Sequence, residues 1–121
     1  MLDAQQALRL VRQRATEFGV NPNRVGIMGF SAGGHLASTA GTHFTTPAGD
    51  TKDNTSVRPD FLVLLYPVIS FTDNLAHGGS RKSLLGDAPT TEQVRLYSNE
   101  QQVTAQTPQP FWCTPPTTKP W

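Results

Sequence analysis

Hydrophobic residues recur at helical spacing over the first part of the chain, from residue 3 to residue 18. The three-four spacing places Arg9 and Arg12 on the opposite side, which we expect to face solvent. Asp3 and Gln6 have the spacing of a capping box at the start of this helix. The pattern therefore predicts an amphipathic surface helix, with these apolar positions on its inner face: Ala4, Ala7, Leu8, Val11, Ala15 and Phe18.

Two later runs are apolar at consecutive positions, which is the pattern of strands covered on both faces of a parallel sheet. These runs are Val25 to Phe30 and Phe61 to Tyr66. Small residues over 32–43 predict a helix pressed against the sheet, the polar stretch 45–59 predicts a loop, and residues 90–97 predict a short helix. Helix, strand, helix, loop and strand in this order predict two parallel strands joined by a right-handed crossover in an α/β fold.

The first apolar run ends in Gly29-Phe30-Ser31-Ala32-Gly33, a Gly-x-Ser-x-Gly motif, and the small-residue helix follows at once. A strand, a sharp turn and a helix with serine at the apex form the sequence pattern of a nucleophile elbow. The serine of such a turn takes a positive φ, which projects its hydroxyl. We expect Gly29 and Gly33 to supply space, because a Cβ at either position would crowd the turn. The motif therefore predicts Ser31 as the catalytic nucleophile.

The helix that follows Ser31 directs its first amides at the same spot, where they can stabilise developing negative charge. The amide of Ala32, the residue after the serine, is the expected half of an oxyanion hole. A phosphate-binding loop is the alternative for a glycine-rich turn between strand and helix. No Lys-Ser/Thr pair follows these glycines and no Gly-x-Gly-x-x-Gly is present, so the pattern disfavours that alternative.

The residues from Asn23 to Ala37 resemble the elbow region of α/β-hydrolase esterases, in particular the acetyl-xylan-esterase-like group, whose members are often labelled xylanase or lipase-like. The segments Arg58–Phe61, Leu65–Ser70 and Leu96–Glu100 are similar to that group too. The resemblance implies that residues 1–110 are the central part of a partial α/β-hydrolase fold, truncated at both ends, with parallel strands flanked by helices in three layers. It also implies hydrolysis of carboxylic esters, acetyl groups on plant polysaccharide such as xylan, without a metal or other cofactor.

The triad of that family runs Ser, Asp, His in chain order. Only Ser31 and the Ala32 amide have counterparts in this chain. The upstream His-Gly-Gly-type loop, which supplies the second oxyanion amide, and the downstream acid and histidine have none. Two alternatives to an active esterase therefore stay open: a catalytically dead fragment and a serine peptidase of the same fold. A serine hydroxyl without a base is a weak nucleophile.

The three histidines of the chain are weak candidates for the missing base. His35 lies four residues after the serine on the same predicted helix, where we expect it to pack beside the elbow. His43 lies about 18 Å down that helix at about 1.5 Å per residue. His77 lies in the irregular stretch 67–79, near Asp73, so a grouping of both with the serine stays open beside the interpretation as a solvated loop histidine.

Composition narrows the classes of function. The 121 residues make one domain at most, and a net charge of +1 shows no footprint for nucleic acid or an anionic membrane. No apolar run reaches the roughly 18 residues of a membrane span, and one cysteine excludes an internal disulfide. The partner we expect is a small-molecule or polysaccharide ester. The start predicts a helix and no signal peptide, and the resemblance implies a family that is often exported, so the compartment stays open.

Residues 111–121 are rich in Pro and Thr and match no part of the family resemblance. Reading their codons one base earlier forces Leu-Val followed by His or Tyr, and permits Asp-Asp further on. The strand that carries the triad acid in the family reads much like this. We hypothesise that a frameshift converted that strand into the present tail, and a native disordered tail is the alternative.

Overall fold

The computed structural model describes residues 1–49 and 52–113. The last eight residues of the predicted tail, 114–121, lie outside the described residues. The helices are α1 (Leu2–Gln13), α2 (Ala15–Phe18), α3 (Ser31–Thr42), α4 (Gly78–Leu85) and α5 (Thr91–Tyr97), with a 3-10 turn at Asn99–Gln101. The strands are β1 (Ile27–Phe30), β2 (Leu62–Leu65) and β3 (Pro110–Cys113).

The three strands form one parallel sheet in the order β1-β2-β3. Phe30 lies opposite Leu65 and Leu65 lies opposite Cys113, so all three strands end at the same edge. The sequence predicted two strands, and β3 is a third strand that it did not predict. The sequence signal for β3 is weak because the strand begins with a proline and its next three residues are exposed. Carboxyl ends of parallel strands are where α/β folds place their ligand sites.

Helix α3 covers one face of the sheet, and its small residues allow the close approach that the sequence predicted. Ala37 packs with Leu62 and Leu64 of β2, and all three are buried. A second buried cluster joins Ala40 of α3 to Leu8 of α1 and Val25. These clusters fix α3, and hence its first residue Ser31, against the ends of β1 and β2.

The opposite face of the sheet is apolar but uncovered in the part of the chain that the structure describes. Met28 and Phe30 of β1 are 60% and 46% exposed, and Phe111 of β3 is 65% exposed. The prediction that the strands are covered on both faces is therefore wrong for the described residues. Strand residues alternate between faces, and in β2 the two positions that point towards α3, Leu62 and Leu64, are the fully buried ones.

The N-terminal segment buries Leu8 and Ala15 of the predicted inner face, but it also buries Arg9, which was predicted to face solvent. Arg9 is buried and forms an ion pair with Asp53 at 3.3 Å, and Arg12 pairs with Asp60 at 3.1 Å. Asp60 also accepts a hydrogen bond from the amide of Val25 at 2.7 Å, next to the start of β1. The expectation of a solvated basic face was wrong because these arginines reach carboxylates on the segment that leads into β2.

The start of α1 and the start of α4 differ from the prediction. Met1 is the N-cap residue of α1 and no side chain caps this helix, so the predicted Asp3–Gln6 capping box is wrong. A capping box is present instead at α5, where Thr90 and Gln93 bond reciprocally. Helix α4 begins at Gly78, inside the stretch 67–79 that was predicted to be irregular, and His77 is its N-cap residue.

Candidate active site

Ser31 is the first residue of α3 and follows directly on the last residue of β1. Its φ is +48°, in the left-handed region that residues other than glycine rarely adopt. Its side chain is exposed. The backbone thus has the strained strand-turn-helix geometry that the motif predicted, with the hydroxyl accessible at the carboxyl edge of the sheet.

The glycines beside Ser31 do not share one role. A Cβ on Gly29 would lie 2.1 Å from the carbonyl oxygen of Gly33, so β1 and the first turn of α3 touch backbone to backbone. A Cβ on Gly33 would meet nothing within 4 Å of it, so the expectation of crowding is wrong there. The crowded helix position is Gly34, where a Cβ would lie 2.6 Å from the Cβ of Pro67. Gly33 contributes its backbone to the close approach.

The amide of Ala32 is the second of α3, so the helix offers it no carbonyl four residues earlier. Its position beside Ser31 suits the role of oxyanion donor that the motif predicts. Ser31 itself is fixed from the other side, because its carbonyl accepts a hydrogen bond from the amide of Val68 at 3.0 Å. Strand β1 and the segment that follows β2 therefore both contribute to the position of the candidate nucleophile.

His35 is engaged in the core and does not present a base to Ser31. Its Nε2 lies 2.8 Å from the carbonyl oxygen of Tyr97, and its ring lies 4.6 Å from the ring of Phe71. Burial lowers the pKa of His35, against the opposing effect of the bond to Tyr97. His35 was expected to pack beside the elbow, and these contacts bury it against Phe71 and Tyr97 instead of directing it to Ser31.

The two other histidines are also committed elsewhere. His43 follows the last residue of α3, and its Nε2 lies 3.1 Å from the carbonyl oxygen of Leu96. Nδ1 of His77 accepts from the amide of Ser80 at the start of α4. Asp73 pairs with Arg81 at 2.5 Å.

No hydrogen bond among the described residues joins Ser31, His77 and Asp73 into the grouping that the sequence left open. Within the described residues, none of the three histidines forms a hydrogen bond with Ser31.

A cavity of about 490 Å³ lies beside the elbow helix, and sequence reasoning missed it. Its wall includes Ala32, Leu36, Phe71, His77 and Leu84, so it extends from the expected oxyanion donor to α4. One wall of the cavity is formed by α4. The sequence did not predict the start of this helix, because its first two residues are glycines, which disfavour helix. Its lining is mainly apolar, with hydroxyl and imidazole groups at intervals.

A buried polar cluster ties α3 to the turn after α5. The side-chain amide of Asn99 donates to Ser38 at 2.6 Å and to Thr39 at 2.9 Å. The hydroxyl of Ser98 accepts from the amide of Phe71 at 3.0 Å. The segment Leu96–Glu100, which carried part of the family resemblance, thus holds the wall of the cavity in place.

Two further findings concern the described residues as a set. Within residues 1–49 and 52–113, no three or more His, Cys, Asp or Glu side chains are grouped so that they could hold a metal ion. Across the same ranges no helix has the length and apolar content needed to cross a membrane.

The BD-FAE family model matches residues 1–113. The chain belongs to the BD-FAE family. The match includes the three residues Phe111–Cys113 of β3, beyond the predicted boundary at residue 110. The fold is part of the α/β-hydrolase fold of esterases, as the resemblance implied.

Relatives of this BD-FAE chain include a xylanase and an acetylxylan esterase. It is 39% identical to endo-1,4-beta-xylanase B of Butyrivibrio fibrisolvens over 90% of its own length and 17% of that protein. It is 44% identical to an acetylxylan esterase of Xylanibacter ruminicola over 69% of its own length and 16% of that protein.

A solved structure, the acetyl ester-xyloside bifunctional hydrolase of Caldicellulosiruptor lactoaceticus, superposes with a TM-score of 0.82 at 47% identity. The match covers 92% of this chain and 42% of that one. The BD-FAE chain therefore spans less than half the length of the relatives to which it is similar.

Proposed function

We propose that this chain carries the nucleophile of a carboxylic ester hydrolase, and that Ser31 is that nucleophile. The observation that supports the proposal is the backbone of Ser31, exposed at φ +48° between β1 and α3. A serine in ordinary helical structure has no reason to carry this strain, whereas a nucleophile elbow requires it.

In this proposal the hydroxyl oxygen of Ser31 attacks the ester carbonyl carbon, and a base takes the hydroxyl proton. The negative oxygen of the tetrahedral intermediate accepts a hydrogen bond from the amide of Ala32, at the positive end of α3. The intermediate collapses, the alcohol leaves with the proton, and water releases the acid from the acyl-serine. The base, its carboxylate partner and the second oxyanion donor come from residues outside those described.

The substrate we propose is an acetyl ester on a xylan-type polysaccharide, or a small ester of the same chemistry. The similarity to an acetylxylan esterase and to an acetyl ester-xyloside hydrolase supports this class over the peptidase alternative. We expect no nucleic-acid partner, because the net charge of +1 offers no excess of basic residues.

The test starts from genomic DNA on both sides of the reading frame, which gives the complete polypeptide that carries this segment. Initial rates on p-nitrophenyl acetate are compared for the wild type, Ser31→Ala and the control Ser56→Ala, an exposed serine on the polar loop. We expect Ser31→Ala to lose on the order of 10⁴-fold or more in kcat and the control to keep its rate.

Two outcomes would overturn the proposal. One is hydrolysis that survives Ser31→Ala. The other is flanking DNA without further hydrolase sequence together with a 121-residue chain that shows the same background rate as its Ser31→Ala variant, which favours the inactive fragment. Cleavage of a peptide anilide with no hydrolysis of acetyl ester would instead favour the peptidase.

A further inference from the structure

Two residues other than glycine have a positive φ within residues 1–49 and 52–113: Ser31 at +48° and Tyr66 at +35°. They are neighbours, because Phe30 and Leu65 are partners in the sheet and each is followed directly by one of the two. The elbow accounts for the first. The second follows β2 at the same edge, and no motif in the sequence accounts for it.

The strained residue keeps its place in the sheet while the chain turns. The amide of Tyr66 still donates to the carbonyl of Cys113 at 2.7 Å. Two residues later the amide of Val68 donates to the carbonyl of Ser31 at 3.0 Å. The turn after β2 therefore bonds directly to the backbone of the candidate nucleophile.

The same turn also touches the helix one turn further along. A Cβ on Gly34 would lie 2.6 Å from the Cβ and 2.9 Å from the Cα of Pro67, so these two residues are in close contact. Positions 31 and 34 lie on one side of a helix, three residues apart. Val68 thus contacts the start of the first turn of α3, at Ser31, and Pro67 contacts its end, at Gly34, on the same side of the helix.

We propose that Tyr66 is a positioning residue for Ser31. Its left-handed backbone directs Pro67 and Val68 onto the first turn of α3, which holds the serine at its strained φ. The role rests on the proposed function of Ser31 as nucleophile. The ring of Tyr66 supports this backbone conformation from the sheet face opposite α3, where its centroid lies 6.0 Å from that of Phe30.

Substitutions at residue 66 test the backbone conformation and the aromatic ring together. Tyr66→Val puts a β-branched residue, which resists a positive φ, at this position, whereas Tyr66→Phe keeps the aromatic ring. In the complete polypeptide we expect Tyr66→Val to lower kcat on p-nitrophenyl acetate about tenfold with KM nearly unchanged. Tyr66→Phe should restore the wild-type kcat. Amide hydrogen exchange of Val68 should be about tenfold faster in the valine variant alone.

A second variant approaches the turn from the helix and covers the case in which Tyr66→Val fails to fold. Gly34→Ala introduces a methyl group against Pro67, and the control Gly78→Ala introduces one where nothing lies within 4 Å. We expect faster exchange of the Val68 amide and a lower kcat in the first variant only.

Unchanged exchange of Val68 in both Tyr66→Val and Gly34→Ala would overturn the proposal, as would equal kcat values for the valine and phenylalanine variants. Because hydrogen exchange does not require enzyme activity, it tests whether Tyr66 fixes the turn onto α3 even if Ser31→Ala shows that the proposed function is wrong.

Discussion

The two faces of the parallel sheet are equally apolar in sequence but differ in what covers them. On the face towards α3, Leu62 and Leu64 are 2% and 1% exposed and pack on the small residues of the helix. On the other face Met28 and Phe111 are largely exposed. The difference shows that the described residues complete only the half of the core that positions Ser31.

This division fits the comparison with longer relatives. The chain spans 42% of the Caldicellulosiruptor hydrolase that it superposes on. A strand pattern that is apolar on both faces belongs to a sheet covered twice. The covered face can therefore be tested within this chain, while the open face is tested by comparing the chain with the complete polypeptide.

The largest expected effect lies on the covered face, at the contact between β1 and α3. Gly29→Ala places a Cβ 2.1 Å from the carbonyl oxygen of Gly33, and backbone cannot move aside as a flexible side chain can. We expect a loss of at least about 3 kcal/mol in the free energy of unfolding, or failure to fold. Gly33→Ala, with open space around its Cβ, is the matched control for stability in urea denaturation. Equal stability of the two variants would contradict the close approach.

A smaller effect comes from truncation on the two faces. Leu64→Ala should lower the free energy of unfolding by about 2–4 kcal/mol, because it leaves a cavity under α3. Met28→Ala should change it by less than about 1 kcal/mol in this chain, where the side chain is 60% exposed. In the complete polypeptide we expect the Met28 variant to lose more stability. Similar losses for Leu64 and Met28 in the short chain would remove the distinction between the faces.

The open face should also be detectable without unfolding the protein. We expect the 121-residue chain to bind the dye ANS and to be prone to aggregation, because large apolar side chains lie together on an exposed sheet. The double variant Met28→Gln with Phe111→Gln should reduce dye fluorescence and raise solubility. The absence of a dye response in the wild-type chain would contradict this prediction.

The smallest effect concerns the buried histidine on the covered side. Burial lowers the pKa of His35 from 6.5, while the carbonyl of Tyr97 and the charge of Glu100 raise it and His43 lowers it further. As the pH falls, the unfolded state therefore binds a proton before the folded state does. The contribution of neutral His35 to the free energy of unfolding is fully present above about pH 6.5 and decreases below that value. The urea midpoint of the wild type should decrease from pH 8 to pH 5.5 by more than that of His35→Gln. A parallel decrease would exclude His35 as the source.

The sequence predicted the elements that pack on one another locally and missed those that depend on distant partners. The strand that ends at Phe30 and the small-residue helix follow from local composition, and the Gly-x-Ser-x-Gly motif signals the positive φ of Ser31, although Val68 from after β2 also bonds to that residue. The buried sides of Arg9 and Arg12 depend on Asp53 and Asp60, far along the chain. No periodicity in α1 carries that information.

The same limit applies to the candidate site. The motif predicted Ser31, the Ala32 amide and the crowding at Gly29, all within five residues. It assigned crowding to Gly33 instead of Gly34, because the neighbour that decides is Pro67 after β2. The strained Tyr66 and the cavity under α4 were missed for a related reason, since both arise where segments far apart in sequence meet.

The central claim is that the elbow presents Ser31 as the residue that takes the acyl group. The most direct measurement is to quench the complete polypeptide during turnover of p-nitrophenyl acetate and to locate the acetyl group by peptide mass spectrometry. The account predicts an acetyl ester on Ser31 that is absent from Ser31→Ala. Turnover with the acetyl group on a different side chain, or with no acyl-serine under conditions that trap one, would contradict it.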